Sequence, residues 1–464
     1  MITALIIIFI VGYMAIALEH PIKVDKTASA LVLGMLMWIL YALGSESIVP
    51  SVAGTKFSEF LLNNPSLANA PVAQQTLEYV LNVDIIEHLG DICQTILFLL
   101  GAMTIVELID VHGGFRVITD RIQTRDKKRL LWIVSFTTFF MSAILDNLTT
   151  SIVMLMLLRK LIEDRHERWL YAGAIVLAAN SGGAWSPIGD VTTIMLWVKG
   201  NVTAAKIITF VLLPSLVSML IPVYMLSRRL SGTLAPVDNS TTENKFLSSR
   251  ERNTIFFLGV GGLIFVPVFK SVTHLPPFVG MLFIVGCLWI FTEVFYNHKM
   301  LQPTKELRLP KVVSRVDMPS ILFFLGILMA VAVLQACGIL SWFASVLDTH
   351  LHNAYIIDII LGVMSSIVDN VPMVAGVMGM YPVADPAATG YAANFIVDGT
   401  FWELLSYCAG VGGSILVIGS AAGVIAMGLE KITFGWYLRN ISWMALLGYL
   451  CGVLVYFLEK LLLC

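Results

Sequence analysis

Two acidic side chains in this sequence lie deep within apolar runs. They are Asp146, in the motif LDNLTT, and Asp369, in the motif VDNVPM, and an asparagine follows each directly. Within the runs 130–158 and 359–384 these two aspartates are the only charged residues. A charged side chain at membrane depth costs about 3 kcal/mol on insertion scales, so it persists mainly where it pairs, faces a cavity or binds a ligand. Two such carboxylates in matching contexts are typical of a transport protein.

A third carboxylate, Asp190, follows a stretch that should interrupt a helix. Residues 180–193 read NSGGAWSPIGDVTT, with a glycine pair and a proline that lacks an amide donor. A matching stretch, 410–420, reads GVGGSILVIGS. A helix broken at mid-depth exposes carbonyls that attract cations and amides that attract anions. Close packing of small residues would explain either glycine cluster alone, but it does not explain Asp190 and the hydroxyls beside it.

The side chains gathered around these motifs offer many oxygen ligands. Small hard cations prefer carboxylate, amide and hydroxyl oxygens, whereas three carboxylates would repel an organic anion. Carboxylates also take up protons, so a proton and a metal cation can compete for one group. The expected cation- and proton-binding residues are Asp146, Asn147, Thr149, Thr150, Asn180, Ser181, Asp190, Thr192, Thr193, Asp369, Asn370, Ser414 and Ser420.

The composition places these residues in a membrane protein. The 464 residues are 58% hydrophobic and 13% charged, with a mean hydropathy of +0.85, so polar residues are too few to cover a soluble surface. The stretch Ile207–Ser227 carries no charge and matches the about 20 residues that cross a bilayer, which argues against a soluble protein with a large core. The net charge of −2 comes without a basic tract, so nucleic-acid binding is not expected.

The cysteines and histidines give no sign of a cofactor. The six cysteines and eight histidines are scattered without CxxC or metal-ligand spacing. We therefore expect packing roles for the cysteines and no bound cofactor.

Ten apolar runs are expected to cross the membrane. The first lacks a basic start, so we interpret it as a span with the N-terminus outside and not as a signal peptide. The runs are 1–18, 27–44, 92–111, 169–198, 206–227, 254–272, 277–296, 319–338, 401–430 and 437–458.

Two further runs, 130–158 and 354–382, are predicted to be re-entrant helical hairpins. Basic residues flank the first on both sides, whereas the second lies in a region, 316–430, that has no Lys or Arg. Since basic residues mark cytoplasmic loops, the first hairpin should enter from inside and the second from outside. Arms of about 14 residues reach roughly 20 Å, a little past the middle of the membrane. Both chain termini are then outside, and Asp146 and Asp369 meet near the bilayer centre.

The same landmarks occur twice at a nearly constant spacing, which indicates an internal repeat. Residues 96–101 recur as 321–326, Asp146-Asn147 recurs as Asp369-Asn370, and the glycines 182, 183 and 189 recur as 412, 413 and 419. Because one copy should begin outside and the other inside, the copies are inverted, as in many secondary transporters. We predict two five-span repeats separated by a cytoplasmic linker: 1–229 with hairpin 130–158 and broken helix 169–198, linker 230–253, and 254–464 with hairpin 354–382 and broken helix 401–430.

Three motifs resemble one known family. LDNLTTSIVM, NSGGAWSPIGDVTTIM and VDNVPM are similar to motifs of the NhaD-type sodium/proton antiporters of the ion transporter superfamily, which also includes arsenite and di- and tricarboxylate carriers. The resemblance implies exchange of cytoplasmic Na+ or Li+ for external H+, in a bacterial inner membrane or the equivalent membrane of a bacterium-derived organelle. It also implies transport-site roles for Asp146, Asn147, Thr149, Asn180, Asp190, Thr192, Thr193, Asp369 and Asn370.

Our mechanistic hypothesis gives the three aspartates separate roles. Asp146 is the leading cation ligand and proton acceptor, Asp190 is the second, and Asp369 is either a third ligand or a charge that polarises the opposite tip. Na+ or Li+ would thus be held at these carboxylates. Glu107 and Asp110 either serve a proton route or extend to the membrane surface.

Other classes stay open at this point. A related carrier for arsenite or a di- or tricarboxylate anion, coupled to Na+, is the nearest alternative. An enzyme is disfavoured, because no nucleophile or metal motif is present. The expected partners are Na+, Li+, H+ and membrane lipid. Dimerisation, stoichiometry, ion selectivity, the pH of activation and the choice between elevator and rocking motion are left open.

Overall fold

The fold is helical throughout the described residues. The structure, a computed structural model, describes residues 1–17, 19–119, 121–122, 124–234, 248–299 and 308–463. Over these ranges the chain has no β-strand, and an isolated antiparallel bridge joins Asp126 and Thr233. Most of the predicted linker 230–253 lies outside the described residues. The all-α class predicted from the sequence is confirmed.

The described residues form α-helices joined by connections of varied length. Within the described ranges, two 3-10 segments (Pro65–Leu67 and Gly390–Phe395) and two π segments (Val80–Asp84 and Leu438–Ser442) accompany them. The α-helices are α1 (Ile2–Ala17), α2 (Glu19–Ile22), α3 (Lys26–Leu43), α4 (Ser45–Val52), α5 (Gly54–Asn63), α6 (Val72–Tyr79), α7 (Ile85–Val111), α8 (Arg116–Thr119), α9 (Lys127–Leu145), α10 (Asn147–Leu161), α11 (Arg165–Ala184), α12 (Val191–Lys199), α13 (Ala204–Ser227), α14 (Ser249–Thr273), α15 (Pro277–Lys299), α16 (Leu309–Val313), α17 (Met318–Ala336), α18 (Ile339–Leu351), α19 (Ala354–Met364), α20 (Asn370–Met380), α21 (Thr400–Gly412), α22 (Ala421–Glu430), α23 (Phe434–Tyr437) and α24 (Trp443–Leu463).

Eight helical segments in the described part of the chain are long and apolar enough to cross a membrane. They are Lys26–Leu43, Val72–Val111, Lys127–Leu145, Ala204–Ser227, Arg250–Thr273, Pro277–Val294, Met318–Ala336 and Phe434–Leu462. Shorter apolar helices, such as Ile2–Ile16 and Ala354–Met364, accompany them. The protein is therefore a polytopic membrane protein, as predicted.

The chain forms two compact units. The first comprises Met1–Leu97, Asp317–Asn353 and Val371–Val383, and the second comprises Phe98–Val316, Ala354–Asn370 and Ala384–Cys464. All thirteen residues predicted to bind cations or protons belong to the second unit. The predicted boundaries of the two repeats stay a prediction.

Backbone contact between two helices organises the first unit. Helix α3 packs along α17, and Gly34 lies so close to the carbonyl of Gly326 that a Cβ atom at residue 34 would collide with it. The Trp38 indole adds a hydrogen bond from its Nε1 to the carbonyl oxygen of Met329, at 3.0 Å. Small residues at the crossing thus allow the two backbones to approach closely, as in other membrane helix pairs.

In the second unit, α9 and α10 form a hairpin beside α11. The Tyr171 hydroxyl donates to the Lys127 carbonyl at 2.9 Å, so the start of α9 lies near the start of α11. Arg168 Nη1 donates to the Ile162 carbonyl at 2.7 Å, so the end of α10 lies there too. The chain therefore reverses direction between the two helices, at Asp146. Helix α9, with 19 residues, is longer than the arm of about 14 residues that we expected for a hairpin reaching mid-membrane.

A buried glutamate fastens this hairpin to a later helix. Glu430, the last residue of α22, forms ion pairs of 2.8 Å with Arg159 of α10 and with Arg168 of α11. Its side chain is fully buried, and Trp169 Nε1 donates to its carbonyl oxygen at 2.9 Å. A buried carboxylate is tolerated when charged donors satisfy both oxygens, so Glu430 holds α10, α11 and α22 together at this end of the unit.

Candidate cation-binding site

A single residue separates the two helices of the first hairpin. Helix α9 ends at Leu145 and α10 begins at Asn147, and Asp146 between them has φ 76° and ψ 161°. This backbone region is populated almost only by glycine, and another residue there costs on the order of 1–3 kcal/mol. The side chain of Asp146 is therefore presented at the turn by a strained backbone.

Hydrogen bonds to the following helical turn hold the Asp146 carboxylate. Its Oδ1 accepts from the backbone amide of Thr149 at 2.8 Å, and its Oδ2 accepts from the Thr149 hydroxyl at 3.1 Å. This is helix N-capping, which an aspartate does well because its oxygen satisfies a free amide of the first turn. The residue as a whole is half-buried.

Asn147 links the hairpin turn to the broken helix. Its Nδ2 donates to Asn180 Oδ1 at 3.1 Å and to Asp190 Oδ2 at 3.0 Å, and the residue is only 4% exposed. An amide nitrogen has two hydrogens to donate, so both are used within the protein. The position of the Asp190 carboxylate is thus fixed by the turn of the hairpin.

Asn180 extends this network to the second broken helix. Its Nδ2 donates to the hydroxyl oxygens of Ser414 and Ser420, at 2.9 and 2.8 Å, and the residue is fully buried. Ser420 is also the N-cap of α22 and accepts from the Gly423 amide at 3.3 Å. Side chains from the hairpin and from both broken helices therefore meet in one buried polar network.

The first broken helix leaves a gap between α11, which ends at Ala184, and α12, which begins at Val191. Asp190 caps α12, and its Oδ1 accepts from the Thr192 amide at 3.1 Å. On the other side of the gap, the Ser406 hydroxyl donates to the Ala184 carbonyl at 3.0 Å and lies 3.2 Å from the Thr193 hydroxyl. The free backbone groups that the break creates are thus partly satisfied by polar side chains.

Glycine is required where the hairpin meets this broken helix. A Cβ atom at Gly182 would collide with the carbonyl oxygen of Phe139 in α9. The Ser142 hydroxyl donates to the Ala179 carbonyl at 2.6 Å beside this crossing. The absence of a side chain at residue 182 therefore lets α9 approach α11 closely enough to place Asn147 within reach of Asn180.

Two buried hydroxyls in the same region have no hydrogen-bond partner among the described residues. They are Thr150 Oγ1 in the first turn of α10 and Thr192 Oγ1 in the first turn of α12. Both residues are fully buried. Since buried polar groups are nearly always paired, each of these two oxygens is available to a bound ion.

Three carboxylates interact electrostatically here. The charges of Asp146 and Asp369 both act on the Asp190 carboxylate, and no basic side chain among the described residues forms an ion pair with Asp146 or Asp190. Like charges are costly in a buried environment. A cation or a proton would relieve that repulsion.

The carboxylates do not form one compact metal cluster. Over the described ranges, no three His, Cys, Asp or Glu side chains are close enough to hold one metal ion together. A cation here would therefore draw on amide, hydroxyl and backbone oxygens as well as on the nearest carboxylates. That mixture of weak oxygen donors suits a hard alkali cation better than a transition metal.

Ser181, one of the predicted site residues, contacts a different helix, whereas Ser406, which lies beside the first break, was not predicted. The Ser181 hydroxyl lies 3.0 Å from that of Ser218 in α13, so it serves helix packing and does not join the network. Asp369, half-buried, and Asn370, buried, lie at the start of α20. Ser406 was not predicted, because it lies inside an apolar helix without any motif. Its hydroxyl next to Thr193 becomes visible only through packing.

This chain is similar to known transport proteins over most of its length. The family described as citrate transporter (CitMHS) matches residues 6–397. The protein "Sodium/proton antiporter 2" of Arabidopsis thaliana is 39% identical over 454 residues, which cover 97% of this chain and 98% of the relative. "Sodium/proton antiporter 1" of the same plant is 39% identical over 458 residues, which cover 98% of this chain and 72% of that protein. "Na(+)/H(+) antiporter NhaD" of Alkalimonas amylolytica is 30% identical over 485 residues, covering 97% of this chain and 89% of the relative.

Proposed function

Because this chain belongs to the NhaD-type sodium/proton antiporters, transporters and not enzymes within the CitMHS family, we propose that it exchanges Na+ or Li+ for H+ at the network around Asp190. Cytoplasmic Na+ or Li+ leaves while external H+ enters. The names of the relatives support Na+ and H+ as the transported ions. The buried network in which Asn147 joins the hairpin turn to Asp190 and Asn180, without a basic counter-charge on Asp146 or Asp190 among the described residues, is the observation that carries the assignment.

The exchange follows from competition for the same oxygens. With a cation bound between Asp146 and Asp190, both carboxylates stay ionised because the cation neutralises them. When the cation leaves, the remaining negative charges repel one another, and protonation is the cheapest way to relieve this in a buried site. Cation and proton thus exclude each other, which is the requirement for antiport.

Neutral ligands complete the proposed cation shell. The unpartnered hydroxyls Thr150 Oγ1 and Thr192 Oγ1 lie in the first turns of the helices that Asp146 and Asp190 cap. Asn147 holds the second carboxylate, that of Asp190, through a hydrogen bond of 3.0 Å, and a further bond of 3.1 Å joins Asn147 to Asn180. Thr149, Thr193, Asn370, Ser414 and Ser420 support this shell.

The direction and the location of transport rest on charge asymmetry and on the relatives. Basic residues flank the hairpin 130–158, and none occurs in 316–430, which supports a first hairpin that opens inside and termini that both lie outside. Relatives from a plant and from bacteria support a bacterial inner membrane or the corresponding membrane of a bacterium-derived organelle as the proposed location. The physiological role there would be control of internal Na+ and pH.

Exchange can be measured in everted membrane vesicles that carry a pH-sensitive dye. Addition of Na+ to wild-type vesicles should release the quenched fluorescence, and Asp146→Asn, which removes the charge while keeping the size, should abolish that response. The matched control is Asp126→Asn, because Asp126 caps the start of α9 with a bond of 2.7 Å to the Arg129 amide and is exposed outside the site. Full exchange by Asp146→Asn would contradict the proposal.

A carboxylate carrier is a second candidate, because the matching family is described as citrate transporter. Uptake of labelled citrate or arsenite into proteoliposomes, measured in the presence and absence of Na+, distinguishes a sodium/proton antiporter from such a carrier. We expect no uptake of citrate, since three acidic groups would repel a tricarboxylate anion. Substrate uptake without Na+/H+ exchange would favour this alternative.

A further inference from the structure

A fourth carboxylate of the second unit is buried more completely than those of the site. Asp358 in α19 is fully buried, and neither of its carboxylate oxygens has a hydrogen-bond partner among the described residues. An ionised carboxylate without partners is very costly to bury, so such a group takes up a proton instead. In the packing that the structure shows for α19, Asp358 is therefore a neutral, protonated acid.

The groups that face Asp358 come from two other helices. Its electrostatic neighbours are Cys408 of α21 and Tyr449 and Tyr456 of α24. None of these carries a positive charge, and no ion pair of Asp358 occurs in the described part of the chain. The packing is close, since a Cβ atom at Gly362, one turn further along α19, would collide with the Tyr449 hydroxyl. This environment accepts the protonated form of Asp358 and excludes the ionised form.

Another cluster of titratable groups lies where α21 begins and α24 ends. The Tyr456 hydroxyl donates to Glu403 Oε2 at 2.8 Å. Lys460 Nζ lies 2.7 Å from the same oxygen of Glu403. The Glu403 side chain is fully buried, whereas that of Lys460 is 14% exposed. Glu403 lies in the first turn of α21 and Lys460 in the last turn of α24.

We propose that Asp358 binds a proton during the exchange at a position separate from the cation site. This rests on the proposed Na+/H+ exchange. When the proton leaves, the O–H bond of the Asp358 carboxyl breaks and the carboxylate keeps the electron pair; when a proton returns, that bond forms again.

The proton on Asp358 controls how α19 packs. With the proton, α19 packs on α21, where the Ser365 hydroxyl donates to the Ala409 carbonyl at 2.9 Å. Without it, the buried charge forces α19 away from α21. Since α19 leads directly to the turn that carries Asp369, occupancy of Asp358 alters the position of Asp369. Asp358 is thus a positioning residue that couples proton binding to the cation site.

The test uses full-length protein in proteoliposomes, with Na+/H+ exchange measured across a series of pH values. We expect Asp358→Asn, which cannot lose or gain a proton at this position, to flatten the pH profile and to lower the maximal rate about tenfold or more. Equilibrium binding of labelled Na+ at high pH should persist, because the cation site is intact. An unchanged pH profile would overturn the proposal.

Two further variants guard against a folding defect. Ser135 lies at the position of α9 that matches Asp358 in the predicted repeat, and its hydroxyl is likewise buried without a partner among the described residues. Ser135→Ala, the matched control, should leave the pH profile unchanged. Asp358→Ser places at residue 358 the serine that α9 has at the matching position, Ser135. Because this serine cannot take up the proton, the variant should also flatten the pH profile of exchange. If it folds and keeps the wild-type profile, the proposal fails.

The proposed function and the proposal about Asp358 fail in different ways. If wild-type protein shows no Na+/H+ exchange, the proposed function is wrong. If wild-type protein exchanges the ions and both Asp358 variants keep its pH profile, only the role of Asp358 is wrong.

Discussion

The regions 127–199 and 354–430 have the same local packing but different chemistry. In the first, the backbone of Gly182 lies against Phe139, and in the second the backbone of Gly412 lies against Gly362. The residues that cap the helices after the two breaks differ, since Asp190 caps α12 and Ser420 caps α22. Shared geometry therefore positions an acid in one region and a neutral hydroxyl in the other.

Because one cap is an acid and the other is a serine, the buried network contains fewer negative charges than it would with two acids. Asn180 donates to Ser420 at 2.8 Å, and an aspartate there would add another negative charge to a site that already contains three interacting carboxylates. The residue that matches Asn180 in the second region is Gly410, which has no side chain. The carboxylate is thus at the first break, while the second break supplies the hydroxyls of Ser414 and Ser420.

The largest effect is expected from the two glycines, and it tests whether the packing is really shared. Gly182→Ala and Gly412→Ala each drive a Cβ atom into a backbone carbonyl that cannot move alone. We expect both variants to give a much lower yield of folded protein. The yield is measured as the monodisperse fraction in size-exclusion chromatography after detergent extraction. Gly376→Ala, in open space on α20, is the control. A normal yield for only one of the two variants would show that the crossings differ.

The next effect separates the chemistry of the two regions. Asp190→Ser gives the first break the residue found at the second, and we expect loss of exchange by about a hundredfold or more with the fold retained, because a ligand and proton acceptor is gone. Ser420→Ala should reduce exchange far less. Rates of Na+/H+ exchange in proteoliposomes measure both. If both variants lost the same share of the exchange rate, the Ser420 hydroxyl and the Asp190 carboxylate would contribute alike. That result would contradict the difference in chemistry between the two regions.

A smaller effect is expected from the residue that joins the regions. Asn180→Ala leaves the hydroxyls of Ser414 and Ser420 without their donor, and loss of buried hydrogen bonds costs about 1–3 kcal/mol. Thermal unfolding followed by tryptophan fluorescence should show a lower midpoint, and the Na+ concentration for half-maximal exchange should rise. Unchanged values of both would argue that the two breaks function independently.

The smallest effect is expected from Ser181, next in sequence to Asn180. Its hydroxyl contacts Ser218 in α13, outside the network. We expect Ser181→Ala to cost about 1 kcal/mol or less in stability and to leave the half-maximal Na+ concentration unchanged in the same exchange assay. A clear rise in that concentration would place Ser181 among the ligands after all.

Local signals in the sequence predicted much of this arrangement. A carboxylate in an apolar run, a glycine pair and a proline each depend on only a few neighbouring residues, and the structure indeed ends α9 at Leu145 and α11 at Ala184. Which way a helical hydroxyl points depends instead on the packing partner. That is why Ser181 was assigned to the network and Ser406 was overlooked.

Asp358 was overlooked for a related reason. It lies at the edge of the apolar run from 359 to 384, so it looks like a boundary residue in the sequence. Only the packing of α19 on α21 and the contact of Tyr449 with Ile359 show that this boundary is buried. Sequence spacing locates a charge along the chain but does not say what covers it.

The backbone of Asp146 has a consequence for how such a protein can change over evolution. At φ 76° glycine would be the more stable choice, and replacing the aspartate would release strain while deleting the carboxylate. Variants of this turn selected for thermal resilience should therefore drift toward inactive carriers, whereas selection for salt tolerance should keep the strained acid. At residue 146, thermal stability and transport activity therefore favour different amino acids.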